Sequence, residues 1–171
     1  LNLRPGLQML DIGSGWGPML RAARDAGVDS VGITLSPTQA AACRRQGLEA
    51  HVTDWKTLPP GELGAFDAVV SIGCFHHTGD TQRCIDQTWR VLRPGGHAYL
   101  MLYNRFSLRQ WQDYPRETRQ ALWRNLLGLP TSGVKASEEQ RAAYDADSAG
   151  RAAPETEFFS IRDVKRMMRR F

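Results

Sequence analysis

The chain predicts an α/β three-layer sandwich with a parallel sheet, on three observations. Strand-length apolar runs alternate with helical patterns between Leu7 and Tyr103, and such alternation builds right-handed crossovers between parallel strands. The runs are continuously apolar, as strands are when helices cover both faces of a sheet. The first run leads into Asp11-Ile12-Gly13-Ser14-Gly15-Trp16-Gly17, an acid followed by three glycines at alternate positions. Glycine lets a backbone turn sharply and approach a ligand closely. The helix that follows aims its unpaired N–H groups at whatever lies in the turn.

Arg4-Pro5-Gly6 is a turn, and Leu7 to Ile12 is the first strand. A helix follows from Pro18 to Ala26: proline in a first turn loses no hydrogen bond, and Gly27 is the stop. Val28 to Thr34 is the second strand. Ser36-Pro37 is the cap and first position of a helix ending near Gln46, before Gly47. Leu48 to Thr53 is the third strand, Pro59-Pro60-Gly61 a loop, and Phe66 to Gly73 a β-branched fourth strand. Asp80 caps a helix that carries Ile85, Trp89 and Leu92 on one face. Arg93-Pro94-Gly95-Gly96 is a tight turn before a fifth strand, His97 to Tyr103.

Beyond Asn104 the alternation stops. Helical patterns cover Arg116 to Leu127 and Ser137 to Tyr144, and Ser137 with Gln140 fits a capping box. Ser160 with Asp163 starts a last helix with Ile161, Val164, Met168 and Phe171 on one face. The chain thus divides into a core over 1–104, a helical insert or substrate cover over 105–157, and a last helix over 158–171.

The net charge is +4, from 22 basic and 18 acidic residues. Arg162 to Phe171 alone holds five cations and one anion, so the rest is neutral. One solvated helix face accounts for that, rather than a nucleic-acid surface. No apolar run is long enough to span a bilayer, and no charged-then-apolar leader opens the chain. Cys43, Cys74 and Cys84 are too few and too scattered for a disulfide framework, which points to a reducing cytoplasm. The start lacks methionine and lies almost on the first strand, which suggests a piece of something longer.

The glycine spacing excludes two other cradles. A dinucleotide fingerprint needs a glycine where Pro18 stands, and a P-loop needs Gly-Lys-Ser/Thr. Acid-x-G-x-G-x-G after an apolar strand resembles motif I of the class I S-adenosylmethionine (SAM) methyltransferases. The second strand ends Gly32-Ile33-Thr34-Leu35-Ser36, with Gln39 shortly after. Thr34 stands where that family commonly has an acid for the ribose, and the phrase is similar to the cyclopropane fatty acid synthase branch, where threonine and glutamine take over the cofactor contacts. Asp54-Trp55 implies an adenine site, the acid accepting the amino group and the indole flanking the ring. Ser71 to Asp80 looks like the family's motif IV region, but the cyclopropane branch has a glutamate where His76 stands. Leu92 to Gly96 resembles the family's turn before its fifth strand.

The resemblance implies a Rossmann-like sheet of order 3-2-1-4-5, SAM as cofactor, and in-line methyl transfer to a small-molecule acceptor. The implied cofactor residues are Asp11, Gly13, Ser14, Gly15, Trp16, Gly17, Thr34, Leu35, Gln39, Asp54, Trp55, Ile72 and Gly73. His76 and His77 are candidates for a general base or for a wall of the acceptor site, since imidazole titrates near neutrality. Cys74, His76, His77 and Cys84 match no zinc spacing, and adjacent histidines rarely converge on one ion, so no metal is expected. Trp111, Tyr114, Trp123 and Tyr144 either face an acceptor or pack the insert. Two strands that follow the last helix in the family are expected to be missing, with an adjoining domain or oligomer partner in their place. No nucleic-acid partner is expected, because the Asp/Asn-Pro-Pro-aromatic phrase of amino-directed enzymes is absent. The alternatives are a cyclopropane-type lipid-modifying enzyme and a non-catalytic SAM-binding domain of a larger protein.

Overall fold

The computed structural model describes residues 4–59, 63–145 and 152–171. They form two units, Leu1–Cys74 with Gln82–Met101, and Phe75–Thr81 with Leu102–Phe171. The first is built on a five-stranded sheet of β1 (Gln8–Ile12), β2 (Asp29–Thr34), β3 (Glu49–Val52), β4 (Phe66–Ile72) and β5 (Leu92–Met101). Its order is β3-β2-β1-β4-β5, with every neighbouring pair parallel. This is the order the resemblance implied. The connecting helices are α1 (Pro18–Asp25), α2 (Pro37–Arg45) and α3 (Thr81–Val91).

Local chemistry sets these elements. Gly17 takes φ 79 at the start of α1, where Pro18 needs no hydrogen-bond acceptor. Ser36 Oγ accepts the Gln39 N–H at 3.3 Å and caps α2. Met9 and Leu10 are both fully buried. Adjacent strand residues point to opposite faces, so the sheet is covered on both. Helix α1 serves two clusters: Met19 and Ala23 join Met9, Val28, Ala68 and Val70, while Leu20 joins Ala40, Cys43, Leu48 and Ala50. Each large apolar side chain buried this way contributes about 1.5–3 kcal/mol. Because the strands run parallel, all their carboxyl ends lie on one edge.

Strand β5 starts earlier than expected. Phe66 pairs with Leu92 and Ala68 with His97, so Arg93 to Gly96 stands opposite Asp67 alone. The expected turn exists, with Gly95 at φ 79, but as a bulge within the strand. Arg93 Nη1 donates to the Asp67 carboxylate at 2.7 Å, and the same oxygen accepts the Gln8 N–H. Of the expected loop at 59–61, only Pro59 lies among the described residues.

The second unit contains the 3-10 turns Phe75–His77 and Thr131–Gly133 and helices α4 (Leu108–Asp113), α5 (Pro115–Leu126), α6 (Glu138–Tyr144) and α7 (Ile161–Met167). Helix α4, capped by Ser107, was not foreseen. The α6 capping box is only half made: Ser137 Oγ accepts the Gln140 N–H, but the Gln140 amide turns to Gln110 Oε1 at 2.8 Å. The α7 box is complete, with Ser160 and Asp163 bonded reciprocally. Arg162 and Arg166 donate to the carbonyls of Asn125 and Gly128 at the end of α5. That part of the basic cluster therefore satisfies a helix terminus instead of facing only solvent. Among the described residues, no helix is long and apolar enough to cross a membrane.

Candidate functional site

The glycine turn after β1 is held by its neighbours. Gly13, Gly15 and Gly17 have φ values of 79, 54 and 79, a region that side chains disfavour. A Cβ on Gly13 would lie 2.6 Å from Cys74 Cβ, and one on Gly17 would lie 2.9 Å from Cys43 Sγ and Leu48 Cδ1. Gly15 differs: its Cβ would meet only the Gly13 carbonyl, at 3.9 Å. The outer glycines thus permit packing, and the middle one faces open space. The Gly13 and Ser14 N–H groups donate to the Ile33 carbonyl at 2.9 and 3.0 Å. They stitch the turn to β2, so the fold and not a ligand uses them.

Asp11, on β1 just before this turn, has 4% of its surface exposed. Burial pushes its carboxyl up to about 7. No cation among the described residues offsets that cost, so a positive group placed beside Asp11 would favour its charged form. Cys74 is also pushed up, by burial first and then by the charges of Asp11 and Asp54.

The carboxyl edge gathers exposed apolar side chains. Trp16 follows β1, Leu35 follows β2, Val52 ends β3, Ile72 ends β4 and Met101 ends β5. Leu35 is 71% exposed and Trp16 57%. Apolar groups clustered at the ligand edge of an α/β sheet mark a binding surface. Beside them, Thr34 Oγ1 donates to Gln39 Oε1 at 2.9 Å and accepts the Ser36 N–H at 3.2 Å. The two residues that the cyclopropane resemblance linked are thus in contact. Asp54 Oδ1 accepts the Lys56 N–H at 2.9 Å. Gly73 turns the chain out of β4 at φ 73.

Trp55 is placed differently. It is buried, and its indole N–H donates to the Cys84 carbonyl at 3.0 Å. It anchors the loop after β3 onto α3, and little of its ring is open to a base. A cavity of about 370 Å³ lies at the opposite edge, lined by Gln8, Arg24, Asp29 and Glu49 among others, away from all these residues.

The two histidines belong to the second unit. His76 is fully buried, its ring centroid 3.9 Å from that of Tyr103 and 4.1 Å from that of His77. His77 Nδ1 lies 3.0 Å from the Glu155 carbonyl, and its Nε2 lies 3.3 Å from Asp145 Oδ2. The Tyr103 hydroxyl donates to Asp145 Oδ1 at 3.1 Å. Burial, and then the carboxylate it faces, pushes that phenol up to about 12. Nothing near Tyr103 or Asp145 in the sequence signals a site.

Residues 10–100, more than half of the chain, match the family described as a methyltransferase domain. The chain is 39% identical over 103 residues to the probable tRNA methyltransferase 9B of Homo sapiens, covering 58% of this chain and 22% of that protein. It is 36% identical over 104 residues to norajmaline N-methyltransferase of Rauvolfia serpentina, covering 56% and 35%. It is 34% identical over 121 residues to cyclopropane mycolic acid synthase MmaA2 of Mycobacterium tuberculosis, covering 67% and 42%. The solved structure of that synthase superposes on 99% of this chain and 55% of its own with a TM-score of 0.64 at 24% identity, a likeness of fold. The chain therefore spans less than half the length of these three relatives.

Proposed function

The chain belongs to the methyltransferase-domain family, and from that premise we propose that it binds SAM and passes its methyl group to a small-molecule acceptor. The carrying observation is the carboxyl edge of the sheet, where an uncompensated buried acid, an open glycine and exposed apolar side chains adjoin. These fit the three chemistries of that cofactor. Asp11 would face the α-ammonium, whose charge offsets the cost of burying a carboxylate. The turn at Gly13, Ser14, Gly15, Trp16 and Gly17 would shape the methionine end. Thr34 and Gln39 would hold the ribose hydroxyls, the Gln39 amide N–H₂ remaining as a donor. Asp54 Oδ2 would accept the adenine amino group, with the backbone of Trp55 beside it. Leu35, Ile72 and Gly73 would wall the apolar rings.

Bound SAM supplies a methyl group on a cationic sulfur, so it carries the hard chemistry. The protein contributes alignment, for which near-attack geometry is worth up to about 7–11 kcal/mol. His76 and His77 are the proposed acceptor-side residues, as base or as wall. A small molecule is preferred over RNA because Arg162 and Arg166 are tied to α5 carbonyls. Cytoplasmic location belongs to the same proposal, supported by three cysteines that remain thiols.

Calorimetric titration of SAM into the chain tests the reading, and no heat of binding overturns it. Mass analysis of an acceptor panel, using labelled methyl, then separates a transferase from a domain that only binds. A lipid-modifying second reading is favoured by the Thr34–Gln39 hydrogen bond and opposed by His76 in place of glutamate; an unsaturated acyl lipid in the panel decides it.

A further inference from the structure

The structure assigns a divalent-cation site of the zinc class to His76, His77 and Asp145 in the second unit. One ligand atom from each lies within 4.8 Å of the other two. His77 Nε2 and Asp145 Oδ2, at 3.3 Å, already sit at the edge length of a tetrahedron with metal–ligand bonds of about 2.0–2.2 Å.

The decisive feature is what lies behind each ligand. His77 Nδ1 faces the Glu155 carbonyl, which can only accept, so Nδ1 carries the hydrogen, and in the neutral ring Nε2 presents a lone pair. The Thr156 hydroxyl lies 3.3 Å from the same Nδ1. Asp145 Oδ1 is taken by the Tyr103 hydroxyl, leaving Oδ2 to face inward. With the ring neutral, two acceptor atoms point at each other across 3.3 Å, and a cation or a proton between them resolves the clash. Outer partners of this kind fix tautomer and orientation around metal ligands. The 3-10 turn Phe75–His77 brings His76 to the same place, its ring tilted 58° to that of His77. Two imidazoles and one carboxylate suit zinc or cobalt; calcium and magnesium prefer oxygen alone.

Sequence spacing argued against a metal because it could weigh only neighbours along the chain. Cys74 and Cys84 are not needed, since Asp145, just after α6, completes the set. With a cation held there, a histidine lending it a ring nitrogen is not free to serve as the base, so on this proposal the pair takes the role of the wall. The inference does not depend on the methyltransferase reading. Its rival is a proton in the same gap, joining an imidazolium to the carboxylate.

The test is Co²⁺ titration of the chelator-treated chain, followed by visible absorption and thermal melting. The expected result is one equivalent bound, the absorption of four-coordinate cobalt, its displacement by Zn²⁺, and a rise in Tm. Asp145→Asn keeps an acceptor for Tyr103 but should weaken binding at least about tenfold. His77→Ala should abolish it. His51→Ala, which removes the exposed contact to Glu49, should change nothing. Absence of both the band and the Tm rise overturns the site in favour of a proton. Binding that survives both Asp145→Asn and His77→Ala overturns it as well. A chelated chain that binds SAM but not cobalt refutes this site alone; one that binds cobalt but not SAM refutes the proposed function alone.

Discussion

Asp11 in the sheet unit and Asp163 in the helical unit are equally buried, at 4% exposure each, yet their charges meet opposite treatment. Burial would lift Asp163, but hydrogen bonds from Thr131 and Ser160, through both side chains and backbones, outweigh it and hold the carboxyl below its usual value. For Asp11 burial acts with no such donor among the described residues, and the carboxyl rises to about 7. Asp163 is satisfied by its own chain and ties α7 to the turn at Thr131. Asp11 is the one that the proposed function pairs with a ligand's positive group. A buried acid answered by the fold is architecture, and one left unanswered at a sheet edge is a candidate for a site.

The comparison can be broken most sharply at Asp163. Asp163→Ala leaves the Thr131 and Ser160 donors buried without an acceptor and removes a cap. Urea unfolding should show a loss of about 3–5 kcal/mol; an unchanged midpoint would mean that the network is ornamental. Gly13→Ala comes next. It forces a side chain onto φ 79 and against Cys74, at about 2–3 kcal/mol, and should remove SAM binding. Gly47→Ala, at φ 70 in open space, should cost only about 1 kcal/mol.

Asp11→Asn should act with the opposite sign to Asp163→Ala. SAM affinity should fall about 10–100-fold by calorimetry, while the unliganded chain at pH 8 becomes no less stable, because an uncompensated carboxylate is gone. The pH dependence follows. Folding keeps on Asp11 a proton that the unfolded chain loses near 3.8, so its contribution to stability is complete below that value and is lost as pH rises to about 7, by up to about 1.4 kcal/mol per unit. Affinity for SAM runs the other way and should rise about tenfold from pH 6 to pH 8 as the carboxylate ionises. Asp163, depressed when folded, contributes stability above its unfolded value that is lost in acid. The smallest expected effect is that of Thr34→Val, which breaks the bond to Gln39 for a loss of about 1 kcal/mol in SAM affinity.

The sheet unit was legible because its signals are local. Continuous apolar runs punctuated by Gly27, Gly47 and Pro37 place β1 to β4 within a residue or two of where they occur, and parallel pairing then brings Asp11, Thr34 and Ile72 to one edge. Trp55 shows the limit: nothing in its surroundings in the sequence tells a ring that flanks a ligand from one bonded to Cys84. In the helical unit the decisive contacts join polar residues far apart. Thr131 meets Asp163, His77 meets Asp145, and Gln140 chooses Gln110 over its own cap. Such choices depend on which donor is left dry when the segments pack, and no periodicity records that.

The bulge in β5 has a consequence for lineages rather than for chemistry. Four residues, Arg93 to Gly96, answer the single Asp67, and the pairs from Ala68 with His97 to Ile72 with Met101 resume in step beyond them. Chain length at this point is uncoupled from register. Codons gained or lost between Leu92 and His97 would change the loop pinned by Arg93 and leave the far end of the strand where it is. The bulge works as an expansion joint, letting the gene drift in length without disturbing the edge where Ile72 and Met101 stand.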